Sequence, residues 1–207
     1  MDTITTIFSI VILIISVIVH EISHGYTAYA LGDPTAKYAG RLTINPLKHI
    51  DLFGSIILPA LTVFSGLGFV IGWAKPVPYN PYNLRNQKWG DFLVSAAGPF
   101  SNIVIAVVAG ITLRIMMSAG LASVALVSIL TLIAYINIVL AVFNLIPIPP
   151  LDGSKMAMFF LPYEWKARIA QYEHYFFIAL ILFILAGWQF VYPFVRAVAS
   201  LITGVSL

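Results

Sequence analysis

The sequence predicts an all-α polytopic membrane protein of about four to six transmembrane helices, with a re-entrant segment and a short membrane-associated β element. Three observations carry this prediction. Of the 207 residues, 60% are hydrophobic and only 9% are charged, against about 25% charged in an ordinary soluble domain. Four stretches hold no charge at all, Thr3–Val19, Leu52–Ala74, Phe92–Leu113 and Ile115–Leu151, and each has about the 18 residues of a bilayer span or more. Clusters of glycine, proline and charge separate them, so the chain can turn between spans.

The elements follow in order. The first helix is expected over residues 3–31, stopped by Gly32-Asp33-Pro34. Its start, Met1-Asp2, has no basic n-region and no small-x-small site before the polar cluster, so it reads as a retained helix and not a cleaved signal. Leu42 and Ile44 alternate with Arg41, Thr43 and Asn45, the period of a short strand within residues 37–45. Asn45–Gly54 reads as a turn. Leu52–Trp73 is apolar but broken by Pro59, Gly66, Gly68 and Gly72, and Ala74–Asp91, with three prolines, reads as a surface loop. Spans are expected at residues 92–117 and 122–145, followed by the irregular Asn144–Gly153, a polar segment to Glu173 and a last span at 175–194. No repeat or linker divides the chain. It reads as one domain over residues 1–207, with a core at 4–160 and a C-terminal helical region at 161–207, so that a regulatory module would be another chain.

The net charge of +3 does not point to nucleic acid, because the basic residues lie in loops where the positive-inside rule puts them. With no cysteine, a disulfide framework and thiolate chemistry are excluded.

The chemistry is concentrated in Val19-His20-Glu21-Ile22-Ser23-His24-Gly25. Histidines at i and i+4 share one helix face, which lets both rings reach one zinc ion at about 2.0–2.1 Å. Glu21 lies about 100° further round, too far to be a third ligand from that turn, and can serve as general base to a water. Ionisable residues inside a membrane are costly and mark function. The competing reading is a His–Glu–His cluster satisfied by neighbouring helices or lying at the interface. A catalytic zinc needs a third protein ligand, for which His49, Asp51, Asp152, Glu173 and His174 are the candidates. Asp152 follows a span directly, and Pro149-Pro150 deny the backbone before it a regular helix, which lets a carboxylate turn inward. Asp152-Gly153 also reads as an ordinary turn, His49 as a loop residue, and Glu173 and His174 as headgroup-level residues.

His20–Gly25 near the end of one membrane helix, Ala96–Asn102 (AAGPFSN) in another and Phe143–Gly153 (FNLIPIPPLDG) closing a third together resemble the site-2 protease family of intramembrane zinc metalloproteases. The resemblance covers about residues 4–160, in the short bacterial form without a PDZ or CBS domain. It implies one zinc ion held by His20, His24 and Asp152, Glu21 as catalytic base, and Asn144 and Asn102 as residues that hold substrate or the oxyanion. The two asparagines also read as hydrogen-bonding glue between helices. The implied substrates are transmembrane proteins or remnant signal peptides in the lipid bilayer, whose unwound segment could pair with the strand at 37–45. A zinc protease acting on the ends of lipidated proteins would need Glu164 or Glu173 as a ligand. A metal transporter would need polar ligands along several helices.

Topology follows from parity. For Asp152 to join His20 and His24, the first span and the span at 122–145 must run in the same direction. One apolar segment between them then cannot cross, and Leu52–Trp73 suits a re-entrant hairpin with its turn near Ser65-Gly66-Leu67-Gly68. Nine of the eleven basic residues then share one side, which the positive-inside rule makes the cytoplasm of a cell-membrane protein. The N-terminus would lie outside.

Overall fold

The computed structural model describes residues 3–64 and 72–206. Among the described residues the regular structure is entirely helical. The elements are α1 (Thr3–Ala30), α2 (Thr35–Tyr38), α3 (Leu58–Phe64), α4 (Gln87–Ser118), α5 (Val124–Asn144), α6 (Asp152–Phe159), α7 (Tyr163–Gln171), α8 (Glu173–Leu182) and α9 (Trp188–Thr203). A π-helical turn, Leu52–Ile57, leads into α3, and another, Phe183–Gly187, joins α8 to α9. Four segments are long and apolar enough to cross a membrane: Ile4–Ala30, Lys88–Ser118, Val124–Asn144 and Tyr175–Thr203.

Local chemistry sets the ends of these helices. Asn86 caps α4 by accepting from Trp89 N at 3.1 Å, so the helix starts five residues before the expected Phe92. Ser123 caps α5 through Leu126 N. α1 ends where Gly32 takes φ +110°, a left-handed conformation that glycine adopts freely. The fourth span runs to Thr203, beyond the expected residue 194. Pro193 lies within it, and membrane helices tolerate proline where neighbours satisfy the freed groups.

α4 is the central helix and packs on α1, α5, α6 and α9. Ala106, Ile138, Val195 and Ala199 form the buried core where α4, α5 and α9 meet. Small residues there let the backbones approach, as expected where lipid offers no hydrophobic drive between helices. Large apolar groups cover the outside instead: Val124 is 85% exposed and Phe190 78%. The directions of the spans follow from their contacts. His24 near the end of α1 bonds Val94 near the start of α4, so these two run antiparallel. Arg114 near the end of α4 donates to the carbonyls of Leu201 and Ile202 at the end of α9, so those two run parallel. α5 delivers the chain to Asp152 beside His20, and α1 and α5 therefore run in the same direction, as the parity reasoning requires.

The expected strand at 37–45 does not form. Residues 35–38 are the helical turn α2, and the chain beyond them is irregular. The alternation is also inverted: Arg41 is buried, its guanidinium donating to Lys75 O at 2.6 Å, while Ile44 is 81% exposed. No strand lies beside this segment among the described residues. Its backbone groups bond locally instead, Arg41 N to Ala36 O and His49 Nε2 to Thr43 O. The two ends of the 52–73 segment are tied to each other. Trp73 N donates to Gly54 O at 3.0 Å, and Ser55 Oγ donates to Trp73 O at 2.8 Å. The turn expected at Ser65–Gly68 lies outside the described residues.

Candidate metal centre

His20 and His24 stand one turn apart on the buried face of α1, 6% and 8% exposed, their ring centroids 4.7 Å apart. Asp152 opens α6 directly after the irregular chain at 145–151. Its Oδ2 lies 3.0 Å from His20 Nε2 and 3.2 Å from His24 Nε2. The three ligand atoms all fall within 4.8 Å of one another. Gly153 makes this approach feasible, since a Cβ there would sit 2.2 Å from Leu145 O. A side chain would push α6, and Asp152 with it, away from the end of α5.

The hydrogen bonds behind the rings decide what the cluster can do. His20 Nδ1 lies 2.6 Å from Asn102 Oδ1, and His24 Nδ1 lies 2.6 Å from Val94 O. A carbonyl oxygen only accepts, so each Nδ1 carries the proton and each neutral ring presents a bare lone pair at Nε2. Two lone pairs and a carboxylate oxygen thus converge with no donor between them. Such a cluster is satisfied by a cation, or by protonating an imidazole. An imidazolium would donate to Asp152; burial pushes that carboxyl up, but bonds from the two histidines outweigh burial and hold it below the usual carboxylate range. Gly98 of α4 leaves the space in front of the rings. A Cβ there would lie 2.4 Å from His24 Nε2 and 2.5 Å from His20 Nε2. Donor chemistry and space together fit a tetrahedral metal ion with an open position.

Glu21, half buried, points to a different neighbour. Its Oε2 accepts from Val77 N at 2.8 Å. The loop carrying Val77 is fastened around the end of α1 at several points. Arg41 holds Lys75 O. Tyr79 donates to Asp91 Oδ1 at 2.5 Å. The fully buried Asp33 accepts from Asn80 N at 2.6 Å and from Asn83 Nδ2 at 2.8 Å.

The other candidates separate cleanly. Asn102 is fully buried behind His20, whereas Asn144 is half buried and donates to Leu140 O of its own helix at 3.0 Å. His49 is buried in the loop against Thr43 O, and Asp51 caps the π turn through Gly54 N at 2.7 Å. Glu164 is an exposed residue in the first turn of α7. The side chains of Glu173 and His174 lie outside the described residues. Sequence reasoning missed Ser16 and Asn137, both buried in this cluster. The signal was present: Ser16 precedes His20 by one turn, and Asn137 precedes Asn144 by two, on the same helix faces.

Comparison with known proteins agrees with this geometry. The sequence profile of peptidase family M50 matches residues 8–121 and 112–187. The chain is 38% identical over 183 residues to YwhC of Bacillus subtilis (strain 168), covering 86% of this chain and 80% of that one. It is 33% identical over 142 residues to Rip2 of Mycolicibacterium smegmatis (strain ATCC 700084 / mc(2)155), covering 68% of this chain and 52% of that one. Rip2 of Mycobacterium tuberculosis (strain ATCC 25618 / H37Rv) is 27% identical over 188 residues, covering 86% and 68%. All three carry provisional zinc-metalloprotease names. No solved structure matches significantly. With its four apolar spans, the chain is a multi-pass membrane protein and belongs to peptidase family M50, the site-2 protease family of zinc metalloproteases.

Proposed function

We propose that the chain is an intramembrane endopeptidase in which His20, His24 and Asp152 hold one zinc ion and Glu21 is the general base. The observation that carries this is the convergence of three lone-pair atoms in front of Gly98, with both imidazoles oriented by their Nδ1 partners. When bound there, zinc supplies Lewis acidity toward a carbonyl and brings the pKa of a water toward about 7. The Glu21 carboxylate accepts the proton of the attacking water and delivers it to the leaving amine nitrogen. Its bond from Val77 N holds the carboxylate in one place beside the cluster. Asn144, whose amide donates to Leu140 O of its own helix, is the donor available to a developing oxyanion. Asn102 is fully buried and acts on His20 instead of on substrate.

Because the two histidines lie on a membrane helix, the substrates are peptide bonds of membrane-embedded proteins or remnant signal peptides, locally unwound. The bond between Trp73 N and Gly54 O supports reading the 52–73 segment as re-entrant, and that topology puts nine of the eleven basic residues on one side. That side is the cytoplasm, with the zinc site toward it and the N-terminus outside. Single cysteines at Asn83 and Lys166 should be labelled from the cytoplasmic side only, and labelling of Asn83→Cys from outside would reverse this topology.

The decisive variant is Glu21→Gln. It removes only the base, so the purified protein should retain its zinc and lose cleavage of a membrane substrate. Cleavage at the wild-type rate would assign the base elsewhere. Loss of zinc would make Glu21 a ligand.

A further inference from the structure

We infer that Asn137 and Ser16 are positioning residues which, through Asn102, fix the proton of His20 on Nδ1 and so keep its Nε2 ready for metal. The inference rests on His20 being a zinc ligand, as proposed above. Ser16, Asn102 and Asn137 lie on α1, α4 and α5, and each is 2% exposed or less. Nothing in a hydrocarbon layer would hydrate them, so their partners set their orientation.

The direction of the chain of bonds is fixed at its far end. Asn137 Nδ2 lies 2.9 Å from Ile133 O and 2.9 Å from Ser16 Oγ. A backbone carbonyl accepts only, so the amide nitrogen of Asn137 must face it and the Oδ1 must face α4. That Oδ1 accepts from Asn102 Nδ2 at 2.8 Å. A second backbone anchor agrees, since Asn102 Nδ2 also reaches Ser16 O at 3.4 Å. With its nitrogen engaged on that side, Asn102 can offer only Oδ1 to His20 Nδ1. A flip of either amide would bring two donors or two acceptors together at every following step. The polarity of two helix-backbone carbonyls, Ile133 O and Ser16 O, is thereby passed through two amides to one imidazole nitrogen. His24 reaches the same state more simply, through Val94 O.

This function is separable from interhelical glue. Partners of metal-ligating histidines typically contribute about 10–100-fold to metal affinity. Glue would affect folding and leave zinc alone. The experiment is zinc affinity by chelator competition, beside thermal stability, on detergent-purified protein. Asn137→Leu, of similar size but without hydrogen-bonding atoms, should bind zinc about 10–100-fold more weakly. Asn137→Asp, as the neutral acid, keeps the acceptor toward Asn102 and one donor toward Ile133 O, with the Ser16 hydroxyl able to donate to it in turn, and should bind zinc more tightly than Asn137→Leu. Asn102→Leu combined with Asn137→Leu should be no weaker than Asn102→Leu alone, because the second residue acts only through the first. If Asn137→Leu does not fold, Asn137→Ala takes its place in the same cycle. Wild-type zinc affinity in a folded Asn137→Leu or Asn137→Ala protein, or additive losses in the cycle, would overturn the inference. His20→Ala separates it from the reading beneath it. If His20→Ala keeps full zinc affinity, the ligand assignment fails. If His20→Ala loses zinc and the Asn137 variants do not, only the relay fails.

Discussion

The two sides of the metal centre are built differently. Behind the histidines, side chains from three spans bond one another in a dry interior: Ser16, Asn102 and Asn137, none more than 2% exposed. The proposed rim residues, Glu21 and Asn144, are half buried, and each makes a bond to a single backbone group, Val77 N and Leu140 O. A buried polar network is costly unless complete, and when complete it permits one arrangement only. A rim residue held by one bond can exchange it for a bond to substrate. On the proposed mechanism, the back of the site specifies which atoms face the metal, and the rim is left to meet the peptide.

The largest effect that would break this division is at Gly98. A Cβ there would fall 2.4–2.5 Å from both Nε2 atoms, and α4 cannot retreat because Val94 and Asn102 on the same helix bond the two rings. Gly98→Ala should abolish zinc binding and cleavage together while the protein remains a folded monodisperse particle. The check is metal content of the purified variant. Stoichiometric zinc in Gly98→Ala would show that the back wall yields, and the rigid-wall reading would fall.

Much of this was legible in the sequence, and what was not has physical causes. The spans, the His20–His24 face and the inward turn at Asp152 follow from hydropathy, the i,i+4 rule and the proline pair, all local signals. The strand expected at 37–45 failed because alternation reports only a preference, and Arg41 found a buried carbonyl at Lys75 thirty-four residues away. Asn102 read from its motif both as a substrate or oxyanion residue and as interhelical glue, and its position behind His20 depends on how α1 and α4 cross. Ser16 and Asn137 carried a signal that hydropathy averages away: one polar side chain on an otherwise apolar face. Span ends were missed by several residues where a cap such as Asn86, outside the apolar run, sets the start.

The smaller effect belongs to the rim, and Asn144→Ala measures it. Among the described residues the Asn144 amide bonds only Leu140 O, one turn back on its own helix. Removing it takes away no hydrogen bond between helices among the described residues, and a hydrogen bond in a membrane interior averages only about 0.6 kcal/mol. Thermal stability and zinc content should therefore match wild type. In the proposed mechanism the same amide swings from Leu140 O to a developing oxyanion, and loss of one such donor costs about 10²–10³ in rate. That cost should fall on kcat with little change in KM, because the donor is engaged only in the transition state. Asn144→Asp, which cannot offer the amide donor, should be as slow as Asn144→Ala, whereas Asn144→Gln should recover part of the rate. Wild-type kcat in a folded, zinc-loaded Asn144→Ala protein would remove Asn144 from the rim chemistry and leave it a helix-end residue. A loss of zinc in the same variant would instead extend the rigid network of the back wall out to the rim, and the two sides of the site would no longer differ.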